Sequence, residues 1–128
     1  MSIQRNDERG ATLVFVALVM LVLLGAAALA IDAGVLYTAR AQCQNAADSG
    51  ALACGGRAMS FTLTSGIINQ ARLEGVQYAN QNKVLSTPVA INLADVTFDT
   101  NLKRCRVCVP RTQERGNPVP TYFARIWR

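Results

Sequence analysis

Histidine is absent from the chain, which excludes Ser-His-Asp and Cys-His catalysis and any His-ligated metal. There is no glycine-rich phosphate loop, no paired-carboxylate constellation, and no nucleophile at a useful spacing from a base. The sequence thus offers no catalytic residue, no cofactor site and no metal site, and a protein that is not an enzyme and takes no small-molecule substrate is expected. Charge is missing from one long stretch. The 21 residues Ala11 to Ile31 carry none, whereas the other 107 hold all 21 charged side chains. At 128 residues there is room for one small domain. If the first 32 residues serve a membrane, the remaining 96 can fold but are marginal unless oligomerisation, disulfides or membrane attachment assist.

The uncharged run is ATLVFVALVMLVLLGAAALAI. As a helix it spans roughly 31 Å, close to the ~30 Å of bilayer hydrocarbon. Its six Leu, four Val, one Phe and one Ile favour insertion by roughly 4 to 7 kcal/mol, with no charge opposing them. A buried core helix is the alternative, but 96 residues cannot wrap such a segment on every side. The run is therefore expected to enter a membrane. Arg5, Arg9 and the terminal amine precede it, and after it only Arg40 lies close. This bias puts the N-terminus in the cytoplasm and exports the remainder.

Two processing readings compete. Ala28-Leu29-Ala30 supplies the small-x-small site of a signal peptide, whose removal would release a soluble protein from Ile31. Alternatively, Arg9-Gly10 directly before the run is arranged as a prepilin leader, cut between Gly10 and Ala11 with the helix retained. IDAGVLYTARAQCQNAADSGALAC continues in helical style with no proline or turn cluster, which favours retention. Val35, Leu36, Ala39, Cys43, Ala46, Ala47, Gly50, Ala51 and Cys54 recur at spacings of three and four and form one apolar face of small residues. Ala26, Ala30 and Gly34 form a second small stripe, suited to helix–helix packing in lipid or simply to helix propensity. Asp32 closes the apolar run. Either it is a polar group needed for helix contact or export, or it is a solvated residue marking where lipid stops. Its depth favours the second.

Beyond the long helix, Gly55-Gly56 is expected to break or bend the chain. A second helix is expected over 66–82, with Ile67, Ile68, Ala71, Val76 and Ala79 buried and Gly75 a weak point. Strands are expected over 89–98, 102–109 and 121–127, the last two flanking RTQERGNPVP as a hairpin loop. Lys103, Arg104, Arg106, Arg111, Arg115, Arg125 and Arg128 face only Glu114, a patch of +6 over 101–128. A solvated basic sheet face accounts for it, with contact to a membrane surface or partner subunit second. A nucleic-acid partner is not expected, since no aromatic RNA-binding motif accompanies the patch.

Cys105-Arg-Val-Cys108 has C-x-x-C spacing, but on a strand those side chains point to opposite faces, against a redox or zinc pair. Cys43 and Cys54 lie about 16 Å apart along a helix and cannot be bridged. In an oxidising exported compartment, two readings remain. One is one or two helix-to-sheet bridges, with Cys54 to Cys105 or Cys108 foremost; the other is four buried free thiols.

Residues 9–54 resemble the N-terminal region of TadG-like proteins of the TadE/TadG family, which serves Tad (Flp-type) pilus assembly. The shared pattern is Arg9-Gly10, about twenty apolar residues, Asp32-x-Gly34-x-x-Tyr37, then Gln44-Asn45-Ala-Ala-Asp48 running to Ala53. CRVCVPRT and PTYFARIW over 104–127 are similar to the family's paired strands. The resemblance implies a membrane-anchored pilin-like component, single-pass in the inner membrane, whose partners are the membrane and other pilus-assembly or pilin-like subunits. Pilins and TadE-like pseudopilins carry a glutamate five residues after the leader glycine; Phe15 stands there instead, which argues against a major filament subunit. The expected architecture is α+β. It consists of a cytoplasmic leader 1–10, a transmembrane helix 11–31, and an exported pilin-like domain 32–128 with a continuing helix, a second helix and a small antiparallel sheet.

Overall fold

The computed structural model describes residues 7–60 and 62–124, with side chains from residue 10 onward. The fold is α+β: helix α1 (Asp7–Met59), helix α2 (Ser65–Asn80), strands β1 (Lys83–Val84) and β2 (Thr87–Pro88), a short 3-10 turn (Leu93–Asp95), and strands β3 (Val96–Asp99) and β4 (Arg104–Val107). The chain divides into two compact units. One contains α1 up to Val35 together with the segment from Thr121; the other is Leu36–Pro120.

In the second unit, α2 lies on the small-residue face of α1. Ala46, Gly50, Cys54 and Ala58 are buried on α1, and Ala71, Gly75 and Ala79 on α2. Two glycines set how near the backbones come. A Cβ added at Gly50 would stand 2.7 Å from the Gly75 carbonyl oxygen, and one at Gly75 would stand 3.1 Å from the Cys54 Cβ. Gly75, which local propensity marks as a weakness, is thus the point of closest approach. Gly55 and Gly56 do not break α1 as expected. The turn beyond them is held on α2 by Arg57, whose Nη2 donates to Gln70 Oε1 at 2.8 Å and whose Nε pairs with Glu74 at 3.4 Å.

α2 begins one residue earlier than expected because the Thr64 hydroxyl oxygen accepts from the Ile67 amide at 3.4 Å as its N-cap. It ends earlier because Asn82 folds back, its side-chain Nδ2 donating to the Tyr78 carbonyl at 3.0 Å and to Ser49 Oγ at 2.9 Å. From there the sheet departs from expectation. Of the 89–98 candidate only 96–98 form strand, within β3, which runs on to Asp99 and pairs antiparallel with β4, Val96 opposite Val107 and Asp99 opposite Arg104. The 102–109 candidate is β4, shortened to Arg104–Val107.

Among the described residues, β4 has no hairpin partner at 121–124. Residues 121–124 are not a strand, and 125–127 lie outside the described residues. RTQERGNPVP instead folds into a local turn closed by the Asn117 amide donating to Thr112 O at 3.3 Å, with Gly116 at φ 68°. The unforeseen hairpin is β1–β2, whose turn residues Leu85 and Ser86 both have positive φ (48° and 68°). Such primed turns favour Asn or Gly. Here Leu85 is held by core contact and by its amide, which donates to Gln42 Oε1 at 2.7 Å.

Candidate functional site

The first unit exposes its apolar surface. Leu13, Phe15, Val22 and Leu24 are 72%, 72%, 71% and 67% exposed. Among the described residues, α1 is the one helix long and apolar enough to cross a membrane, and none of its apolar window is buried. This apolar stretch is therefore not packed as a core helix. Ala26, Ala30 and Gly34 are exposed, and Gly10 and Ala11 lie exposed on the same helix.

Asp32 corrects the reading of it as a solvated boundary residue: only 3% of its surface is exposed. Its Oδ1 accepts from the Tyr122 amide at 2.9 Å. Its Oδ2 accepts from the Phe123 and Ala124 amides at 2.9 and 2.6 Å. Burial alone would raise this carboxyl, but the three N–H donors together outweigh it and leave Asp32 below the ordinary carboxylate value. The same bonds explain the missing strand, because the amides that a ladder would need are committed to a side chain 90 residues earlier.

Toward the N-terminus from Asp32, a groove of about 620 Å³ runs along the helix, lined by Leu21, Leu24, Gly25, Ala28 and Leu29 and closed on one side by Phe123 and Ala124. The sequence places Phe123 and Ala124 on a strand rather than on a groove wall, and gives Gly25 no part. The one available hint was a carboxylate at the end of an apolar run, which when buried needs donors from somewhere.

In the second unit the motif residues Tyr37, Gln44, Asn45 and Asp48 are exposed on α1, with Leu52 at 77% on the same side. Gln44 Nε2 donates to Asp48 Oδ1 at 3.2 Å. Arg40 and Leu36 are exposed as well.

A disulfide joins Cys54 to Cys105, with Cα atoms 6.2 Å apart, while Cys43 is half-buried and free and Cys108 exposed and free. The basic patch is not uniform. Arg111 donates to the carbonyls of Val84 and Thr87 at 3.3 and 3.2 Å, and Arg115 grips Asp95 with two 2.7 Å bonds. These two arginines fasten loops, whereas Lys103, Arg104 and Arg106 are exposed; Arg125 and Arg128 lie outside the described residues.

Compared with known families, residues 10–58 match the model described as "Tad: Putative Flp pilus-assembly TadE/G-like". The match bears out the resemblance read over residues 9–54 and does not extend to that read over 104–127. Neither the curated proteins nor the solved structures provide a significant match.

Proposed function

We propose, from the TadE/G-like match over residues 10–58, that this protein is a membrane-anchored pilin-like component contributing to assembly or adhesion of a Tad-type pilus. In this reading residues 1–10 are a cytoplasmic leader, 11–31 cross the inner membrane once, and 32–128 form the exported domain. The role is mechanical rather than catalytic: no enzymatic activity, cofactor, metal or nucleic-acid partner is assigned. The helix anchors the chain, and other pilus subunits meet the exposed motif face of Tyr37, Gln44, Asn45 and Asp48 together with the stripe of Ala26, Ala30 and Gly34.

The observation that carries the reading is the coincidence of the matched stretch with one helix. Its first half is apolar and uncovered, and its second half turns small residues to its own domain and motif residues outward. The fold uses the small side of α1 for α2, so the motif side remains available for a partner.

N-terminal sequencing of protein taken from membranes tests the anchor. A start at Met1, or at Ala11 after leader removal, is expected. A start at Ile31 with the protein in the soluble fraction would overturn it in favour of a secreted basic binding module. Copurification with pilus-system subunits after mild detergent extraction tests the partner assignment. Substituting Asp48 and Gln44 by alanine should weaken it while leaving the amount of protein in the membrane unchanged.

A further inference from the structure

We propose that Thr121–Ala124 is a second membrane contact: an irregular segment that lies in the bilayer interface beside the apolar helix and is held there by Asp32. The inference rests on the membrane-anchor reading above and extends it to a part of the chain outside the matched family region.

Three observations converge. The segment belongs to the same compact unit as the apolar helix, and Phe123 and Ala124 flank a groove whose other wall is Leu21, Leu24, Gly25 and Leu29. A residue beside Leu21–Leu29 is at the depth of the lipid-facing turns. Second, Tyr122 is 63% exposed and Phe123 39%, so the segment presents one largely exposed aromatic side chain and a second that is partly covered. Aromatic side chains of this kind concentrate at membrane–water interfaces.

The third observation concerns the backbone. Non-helical chain is tolerated near hydrocarbon only where its N–H groups are satisfied. Here three successive amides are all satisfied by one carboxylate, at 2.9, 2.9 and 2.6 Å. In bulk water such an arrangement would be superfluous, because each amide could bond to solvent. In the interface it does two things at once, since it removes three unpaired donors and gives the buried Asp32 anion its partners. The occupant of the groove that fits these walls is a lipid acyl chain. Its lining is almost wholly apolar, it is continuous with the apolar helix, and its single carboxylate already accepts from three backbone amides.

The test uses the full chain reconstituted in vesicles of phosphatidylethanolamine and phosphatidylglycerol, doped with a phosphatidylcholine brominated either near the glycerol or near the chain ends. Trp127, the chain's single tryptophan, is replaced by phenylalanine, and one tryptophan probe is introduced by Phe123→Trp or Leu24→Trp. The expected result is that the probe at 123 loses more fluorescence to the shallow bromines than to the deep ones, while the probe at 24 is quenched by the lipid as well. Adding Asp32→Ala should abolish quenching at 123 and leave quenching at 24 intact. A quenched probe at 24 with an unquenched probe at 123 overturns the second contact and leaves the anchor standing, as would be seen if water or a partner helix filled the groove. Quenching at 123 that survives Asp32→Ala overturns the role given to Asp32. An unquenched probe at 24 removes the anchor reading and this inference together.

Discussion

Two acidic residues organise loops in this chain by accepting hydrogen bonds from distant parts of it, and the one in the second unit, Asp95, has a clear pH signature. Its Oδ2 accepts from the Asn92 amide at 3.0 Å, completing the cap of the 3-10 turn, and Arg115 binds both carboxylate oxygens. Arg115 chiefly, then the Asn92 amide, hold the Asp95 carboxyl below its ordinary value against the opposing effect of burial. A carboxyl depressed in the folded state contributes stability that is present above its unfolded value, near 3.8, and is lost as pH falls through the lower folded value. Stability of the full chain in detergent should therefore drop between about pH 5 and about pH 3. Arg115→Met should make that drop shallower, by an amount limited because Arg115 is itself partly exposed. Urea midpoints for both proteins across this range give the comparison, and identical acid sensitivity would mean that the pair contributes nothing.

At the scale of elements, the α1–α2 contact is the most sharply constrained feature. Gly50→Ala brings a methyl group within 2.7 Å of a backbone oxygen on α2 and 3.0 Å of the Ala79 Cβ, and neither neighbour is a flexible side-chain end. The gain in helix propensity of roughly 1 kcal/mol is set against overpacking of about 1–3 kcal/mol, so a net loss is expected. Gly55→Ala is the control. It lies in the same helix, its added methyl meets nothing within 4 Å, and it should stabilise. Thermal unfolding of the two variants should move in opposite directions; a stabilised Gly50→Ala would show that the helices separate without penalty.

Periodicity displayed the small face of α1 and most of the buried face of α2, because helix packing repeats every three to four residues along one chain segment. Other elements depended on partners that no local pattern names. Leu85-Ser86 lacks the Asn-Gly signature of its turn and is held instead by Gln42, 43 residues earlier. TYFARIW alternates like a strand, but the amides of 122–124 go to Asp32. Arg111 and Arg115 count as patch charge by composition, yet they serve as ties to carbonyls and to Asp95. The apolar helix of the candidate site was thus readable, whereas the groove wall and the role of its carboxylate were not.

Over the whole molecule, what determines the resilience of the second unit is a cross-link set in a thin core. Among the described residues, five of its ten buried apolar residues are alanine, and Val84 and Val96 are the largest fully buried side chains besides Cys54. A core of small side chains removes little apolar area per residue from water, so covalent closure matters more than in a domain filled with Leu and Phe. The Cys54–Cys105 bond spans 51 residues and encloses α2, both turns of the 83–99 region and the start of β4. Loop closure of that length gives an entropic ceiling of about 4 kcal/mol, and measured native bridges typically contribute about 2–4 kcal/mol. The double variant Cys54→Ser/Cys105→Ser should then lower the melting temperature by roughly 10–30 °C. Reductant should produce a similar fall in the parent protein and none in the variant. Cys108→Ser, altering an exposed free thiol, should leave both the melting temperature and its response to reductant unchanged. If Cys108→Ser instead abolished the response to reductant, the bridge would run from Cys54 to the neighbouring cysteine, and the face of β4 turned toward α1 would have to be reversed, since side chains at 105 and 108 leave a strand on opposite sides.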